Sequence, residues 1–169
     1  MRFALVAAIA AVVTASPALA DALRYGPKDG AFGTGYKDDV EKDGSLRIVT
    51  EYHSRDPYPA LNVALYRAAE LAREVGKPYV QVLGADGMSS QGVASGFVYA
   101  RPSDSPAAPT SCRPHVKRCY TADVGQVLSA LSGPAGDQPG VAKPSSTDQF
   151  GRSVSQAGFG VGAIAWSER

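Results

Sequence analysis

A stripe of apolar side chains at helical spacing, between residues 59 and 75, constrains the fold of this chain more than any other feature. Pro59 can open a helix, whereas Gly76 and Pro78 would end one, so the predicted helix spans about Pro59 to Val75. Steps of three and four residues place the stripe on one arc of the helical wheel, and its members are Leu61, Ala64, Leu65, Ala68, Leu71, Ala72 and Val75. Such a helix needs a second layer to cover this arc.

The flanking segments have the patterns of β-strands. Residues 46–53 alternate, with Ile48 and Tyr52 on one side and Glu51 and His53 on the other. Further strands are predicted at Tyr79–Leu83, at Val93–Ala100 as its hairpin partner, and at His115–Tyr120. We therefore expect an α+β fold with a small sheet of about four strands, in the order β-α-β-β and then a further strand and a short helix. The main helix should pack on one face of this sheet.

The remaining segments carry weaker patterns. Helical spacing recurs over 124–131, with Thr121 as the candidate N-cap. Glycine-rich residues 21–45 predict an irregular lead-in. We expect one α+β domain over residues 21–133 and a Pro/Gly/Ser-rich tail over 134–169. Ser155–Trp166 is a candidate last strand, in which Gly158, Gly160 and Gly162 would lie on one face.

The N-terminus has the pattern of a secretory signal peptide. A positive start and a short apolar run precede Ala18-Leu19-Ala20, which fits the small-x-small cleavage rule. We predict a signal peptide over residues 1–20, cleavage after Ala20, and a periplasmic or secreted mature chain without stable membrane insertion. The 17 basic and 16 acidic residues form no long block of one sign, which argues against a nucleic-acid surface.

Several motifs follow one another along the chain. They are Gly35-Tyr36, the strand at 46–52, Leu65-x-Arg67-Ala68-Ala69-Glu70-Leu71, and the later Ala122-Asp123-Val124 with Val127-Leu128. Together they resemble a family of proteobacterial cell-envelope lipoproteins. The similarity covers roughly residues 25 to 131. It implies an envelope location and a shared fold, and it supplies no catalytic residues. Family members usually carry a lipid-acceptor cysteine at the cleavage site, where this chain has Ala20-Asp21.

Cys112 and Cys119 are the only cysteines and have six residues between them. In an exported chain this predicts a disulfide that closes a short loop, worth about 2.5 kcal/mol by the loop-entropy relation. The alternative is a metal-binding protein that uses Cys112, His115 and Cys119, whose spacing suits metal ligands. Oxidation would consume both thiolates, so we predict neither a metal nor a cofactor.

Three further groups of residues are candidates for function. His53, oriented by Glu51 or Asp56, is a weak catalytic candidate and would make the chain a small exported hydrolase. Tyr66, Arg67 and Glu70 on the polar arc of the main helix form a candidate partner surface. A candidate anion-binding set lies in or beside the cysteine loop and consists of Arg113, His115, Lys117 and Arg118.

No catalytic set is assembled by these patterns. Ser95 lacks the Gly-x-Ser-x-Gly context, and the glycines at 158–162 do not match a dinucleotide-binding motif. The preferred expectation is therefore an exported, non-catalytic envelope protein that binds an envelope protein or an anionic envelope component. The hydrolase and the metal-binding protein are the alternatives.

Overall fold

The computed structural model describes residues 25–31, 33–133, 139, 145–147, 153–155 and 158–168. The predicted signal peptide and much of the predicted tail lie outside these residues. Within the described residues the helices are α1 (Tyr58–Glu74) and α2 (Val124–Leu131). The strands are β1 (Gly35–Val40), β2 (Leu46–His53), β3 (Tyr79–Ser90), β4 (Val93–Ser103), β5 (Arg118–Asp123), β6 (Ser145–Thr147), β7 (Ser153–Ser155) and β8 (Ala163–Glu168).

Six of the strands form one antiparallel sheet in the order β1-β2-β4-β3-β5-β8, while β6 and β7 pair with each other. Because β2 and β3 both run antiparallel to the β4 strand between them, α1 connects two strands of the same direction that are not neighbours. The predicted α+β class and the β3–β4 hairpin are confirmed. The sheet is larger than the expected four strands because β1 and β8 extend its two edges.

The chain around Gly35 is paired as a strand, whereas the glycine-rich composition of residues 21–45 predicted an irregular lead-in. Gly35 has φ +131°, and a Cβ there would lie 2.4 Å from the carbonyl oxygen of Gly26. The same approach lets Tyr36 N donate to Gly26 O at 2.9 Å and Lys28 N donate to Tyr36 O at 2.8 Å. Position 35 therefore requires glycine, because two backbone segments come into close contact at this edge of the sheet.

Helix α1 begins and ends within a residue of its predicted bounds. At its start, Asp56 Oδ1 accepts a hydrogen bond from Tyr58 N at 3.1 Å. At its end, Gly76 adopts φ +71° and Lys77 N donates to Ala72 O at 2.8 Å, which satisfies a terminal carbonyl group. Local sequence signals are sufficient to set both ends of this helix.

The helix lies very close to β4 and β2. A Cβ at Gly96 would lie 2.5 Å from the backbone of Ala60, and Thr50 Oγ1 donates to Ala60 O at 2.6 Å. Around this contact the apolar arc of α1 meets buried residues of the sheet, among them Ile48, Val80, Val82 and Val98. This layer confirms the predicted packing of the main helix on one face of the sheet.

The second helix exists over the predicted residues, but its predicted N-cap is wrong. Asp123 caps α2, and its Oδ1 accepts a hydrogen bond from Gln126 N at 2.8 Å. Thr121 lies inside β5, where its side chain is buried and donates to Ala107 O at 2.6 Å. The strand begins at Arg118 rather than His115 and continues into the residues that were expected to start the helix.

The glycine segment before β8 is a turn, so the predicted glycine face of a strand is wrong. Gly160 and Gly162 have φ of +92° and +67°, values that favour glycine. Gly158 N donates to Asn62 Oδ1 at 2.6 Å, and the side chain of Asn62 is buried. This turn therefore covers a part of α1 that lies outside the apolar stripe and was expected to face solvent.

We expect the stability of the protein to fall between about pH 10 and pH 12. Burial raises the pKa of Tyr52 and of Tyr120 to about 12. The unfolded chain loses these protons near pH 10 while the folded chain keeps them, so this contribution is complete below pH 10 and is lost as the pH rises towards 12. Urea midpoints at pH 9, 10 and 11 should reveal a slope on the order of 1 kcal/mol per pH unit for each tyrosine. Tyr52→Phe should lower that slope by the contribution of one tyrosine, and a midpoint independent of pH would contradict the assignment.

Candidate functional site

A cleft on the sheet face opposite α1 holds the most suggestive group of side chains. Phe97 and Tyr99 alternate along β4 with Gly96 and Val98, which meet the helix layer, so the two rings lie on the other face. The cleft has a volume of about 260 Å³. Three segments line it: Gly84, Ala85 and Asp86 of β3; Phe97 and Tyr99 of β4; and Arg113, Pro114 and Val116 from the loop before β5.

A bulge in β3 attaches this loop to the sheet. The pairing of β3 with β4 shifts register between Val82 and Gly84, and Leu83 O accepts a hydrogen bond from Arg113 N at 2.9 Å. A Cβ at Gly84 would lie 3.0 Å from Val116 Cγ2, so glycine at this position lets the loop approach the strand. Bulge and glycine together place one wall of the cleft.

Arg113 is the cation of the cleft. Its guanidinium carbon lies 3.8 Å from the centre of the Tyr99 ring, a stacked cation–π arrangement. Within the part of the chain that the structure describes, no hydrogen bond or ion pair engages the guanidinium group. Stacking fixes its position and leaves its in-plane N–H donors available.

The charge of Arg113 also acts on the β1–β2 turn. Two hydrogen bonds from Ser45 to Asp43 Oδ1, one from its hydroxyl and one from its backbone N–H, lower the pKa of Asp43. The positive charges of Arg101 and Arg113 lower the pKa of this carboxyl group further. The Asp43 carboxylate therefore lies close enough to Arg113 to be affected by its charge.

The predicted disulfide is present and closes the loop that carries Arg113. The sulfur atoms of Cys112 and Cys119 are 2.11 Å apart and the Cα atoms 5.4 Å apart. Both half-cystines are buried, and Cys119 lies in β5. With both sulfur atoms in the disulfide, the alternative metal site through Cys112, His115 and Cys119 would lack its two thiolate ligands.

Removal of the disulfide by a Cys112→Ala/Cys119→Ala double substitution should lower the free energy of unfolding by about 2.5 kcal/mol. The loop would gain freedom in the unfolded chain, and Arg113, which follows Cys112 directly, would lose its anchor. Urea denaturation checks the stability change. Wild-type protein measured with the disulfide reduced, at the same pH, serves as the control and should lose a similar amount. A wild-type midpoint in the double variant would contradict the role of this cross-link.

The structure separates the predicted anion-binding set. Arg113 lines the cleft, while His115 and Lys117 are exposed on the loop. Arg118 leaves the loop with β5, where it pairs with Glu168 at 2.6 Å and lies 5.3 Å from the centre of the Trp166 ring. Of the four basic residues, Arg113 is the one that the cleft contains.

The candidate partner surface on α1 has a different character from the one expected. The Tyr66 side chain is only 2% exposed, so its assignment to the polar, solvated arc is wrong. Tyr25 from the lead-in packs edge-on against the Tyr66 ring at 5.5 Å and donates a hydrogen bond to Glu70 Oε2 at 2.5 Å. The N-terminal segment therefore covers this part of the helix.

Arg67 lies at the centre of the same polar cluster. It donates two hydrogen bonds to Asp38 Oδ2, at 2.8 and 2.9 Å, and others to Glu70 Oε2 at 2.5 Å and Glu74 Oε1 at 3.0 Å. Burial alone would lower the pKa of Arg67, but the hydrogen bonds to Asp38 and Glu70 raise it above its ordinary value. Burial, followed by the hydrogen bond to Glu70, raises the pKa of Tyr25. These contacts join β1, α1 and the lead-in.

The weak catalytic candidate gains no support from its surroundings. His53 is exposed at the end of β2, and no hydrogen bond or ion pair among the described residues joins it to Glu51 or Asp56. Glu51 pairs instead with Lys28. The same part of the chain contains no cluster of three His, Cys, Asp or Glu side chains with the geometry of a metal site.

Phe97 and Tyr99 are among the site residues that the sequence patterns left out. The signal was present in the alternation of β4, because aromatic rings at positions 97 and 99 fall on the side opposite Val98 and Ala100. The β4 pattern gives no information about the loop at 113–116. This loop reaches the same face through the hydrogen bond from Arg113 N to Leu83 O at the bulge.

Comparisons of the chain with known protein families, curated proteins and solved structures find no match. In the described residues, neither helix combines the length and the apolar composition that crossing a bilayer requires.

Proposed function

We propose that this chain is an exported, non-catalytic protein of the cell envelope that binds an envelope component or a partner protein. The observation that carries the proposal is the cleft at Arg113, where a guanidinium stacked on Tyr99 presents unused hydrogen-bond donors beside apolar side chains. A positioned cation next to an aromatic surface is a recurrent way to recognise an anionic group.

The sheet around the cleft adds contact surface to this proposal. Met88 and Val93 lie on the same side of the β3–β4 hairpin as Phe97, and they are 55% and 36% exposed. We call the surface formed by Val49, Met88, Val93, Phe97 and Tyr99 the open face. An exposed apolar surface with charged groups at its rim is typical of a region that contacts another molecule.

Export is supported by the residues alone. The apolar run after Arg2 and the small residues before Asp21 have the pattern of a cleaved signal peptide. A buried disulfide is consistent with an oxidising compartment.

Affinity capture from a solubilised envelope extract tests the proposal. The full chain is expressed in a Gram-negative host and recovered from its periplasm, with Asp21 as the expected N-terminal residue. Immobilised wild type should retain at least one component that Arg113→Glu loses, because the substitution reverses the charge at the cleft. Arg73→Glu is the matched control, since Arg73 is an exposed arginine on the helix side. The same captured components on all three proteins, or a chain retained in the cytoplasm with residues 1–20 attached, would contradict the proposal.

A further inference from the structure

The geometry of the cleft points to its ligand class: we infer that it binds a singly charged carboxylate carried on a flat apolar group. This inference rests on the proposed function and deepens it.

The hydrogen-bonding state of Arg113 indicates an anion. Arg67 and Arg118 already donate to carboxylates of the chain, at 2.8 Å and 2.6 Å, whereas the described residues provide no acceptor for the Arg113 guanidinium. The stack on Tyr99 occupies a flat side of the group and leaves its edge, where the N–H donors lie, free to bind a carboxylate with two parallel hydrogen bonds. Because the side chain is held in place before binding, less rotamer entropy is lost when the ligand arrives.

The size of the cleft indicates a small apolar group. Its volume of about 260 Å³ lies below the range of roughly 300–1,000 Å³ that accommodates drug-sized ligands. Phe97 contributes an aromatic ring, and Pro114 and Val116 contribute further apolar surface. A ring of the size of a single aromatic side chain matches this space and can stack on or against Phe97.

The charge of the cleft favours a carboxylate over a phosphate. Asp86 lines the cleft together with Arg113, so one negative and one positive group face the ligand. Arg113 attracts a monoanion and Asp86 repels it. A phosphate monoester carries nearly two negative charges, so the Asp86 carboxylate repels it more strongly. The fixed loop position sets the distance between these groups, since Arg113 N is bonded to Leu83 O and Val116 N to Arg113 O.

The test is an NMR titration of the full mature protein with three probes: benzoate, benzamide and phenyl phosphate. Benzoate should cause saturable shifts of the Gly84, Phe97 and Arg113 amide signals, with a dissociation constant of about 1 mM for so small a ligand. Benzamide has the same shape without the charge and should bind at least tenfold more weakly. Phenyl phosphate at pH 8 should also bind more weakly than benzoate.

Two variants separate the cleft from other surfaces. Arg113→Gln should weaken benzoate binding at least tenfold, and Arg118→Gln should leave it unchanged because that arginine lies outside the cleft. Asp86→Asn retains Arg113 and should increase phenyl phosphate affinity several-fold relative to benzoate, which gives a readout that does not depend on loss of folding. Equal affinity for benzoate and benzamide, undiminished binding to Arg113→Gln, or tighter binding of phenyl phosphate to the wild type would overturn the inference.

The two proposals fail in different ways. If benzoate does not bind while capture from envelope extract still depends on Arg113, the ligand class is wrong and the proposed function stands. If benzoate binds as described while Arg113→Glu captures everything that the wild type captures, the ligand class stands and the proposed function is wrong.

Discussion

Gly96→Ala is expected to lower the free energy of unfolding by about 3 kcal/mol, at the upper end of the usual range for an overpacked core. The new Cβ would lie 2.5 Å from the backbone C and O of Ala60 and from the backbone N of Leu61. Backbone atoms cannot rotate away as a side chain can, so α1 has to move off β4. That movement strains the hydrogen bond from Thr50 Oγ1 to Ala60 O and opens the core beneath the helix.

A strand neighbour provides the control for this substitution. Gly87 is the cross-strand partner of Gly96, but a Cβ at Gly87 would meet Pro57 Cβ at 3.4 Å and Leu61 Cβ at 3.7 Å, which are ordinary contacts. Gly87→Ala should therefore change the free energy of unfolding by less than about 1 kcal/mol. Thermal denaturation followed by circular dichroism should show a Tm loss of about 10 °C for Gly96→Ala alone. Equal Tm values for the two variants would show that α1 does not lie as close to β4 as described.

Arg67→Met should destabilise the protein by about 2–4 kcal/mol, although a surface arginine usually contributes much less. The side chain of Arg67 is only 13% exposed, and it holds Asp38, Glu70 and Glu74 together. Methionine retains much of the apolar stem but leaves three carboxylates near one another, with only the exposed Arg73 close to one of them, Glu70. The loss should therefore exceed what the missing hydrogen bonds alone would cause.

Two comparisons identify the cause of this loss. Arg73 is also one helical turn from Glu70, at 3.9 Å, but it is exposed, so Arg73→Met should change stability by less than about 0.5 kcal/mol. Adding Asp38→Asn to Arg67→Met removes one of the unpaired charges and should recover at least about 1 kcal/mol. Urea denaturation of these variants provides the measurements. Equal effects of Arg67→Met and Arg73→Met would show that the Arg67 cluster stabilises the protein no more than exposed ion pairs do.

The polar arc of α1 shows the limit of a helical wheel. Asn62, Val63, Tyr66 and Arg67 lie outside the apolar stripe, and the wheel places them in water. In the folded chain the first three are buried and Arg67 is mostly covered. The glycine turn before β8 covers Asn62, and Tyr25 packs against Tyr66. Periodicity describes one helix at a time, so it cannot indicate that segments distant along the chain will cover its second side.

The cleft shows the same limit for a functional site. Arg113 was predicted as part of a basic set in the cysteine loop. In the fold, the other three residues of that set lie outside the cleft. The residues that line the cleft with Arg113 include Tyr99 and Asp86, which belong to the β3–β4 hairpin. Their meeting depends on a bulge at Leu83 and on the absence of a side chain at Gly84. Neither feature has a pattern that the residues alone would reveal.

Several features depend on residues that lie close together in the chain, and these could be predicted from the residues alone. These are the bounds of α1, the β3–β4 hairpin, the short second helix and the disulfide, because apolar period, turn residues and loop length act locally. Three other features appear only in the packed fold: the six-stranded order, the burial of the Arg67 cluster and the cleft at Arg113. Each of these requires backbone segments far apart in the chain to approach closely, and such contacts are selected by the packing of the whole fold rather than by any one segment.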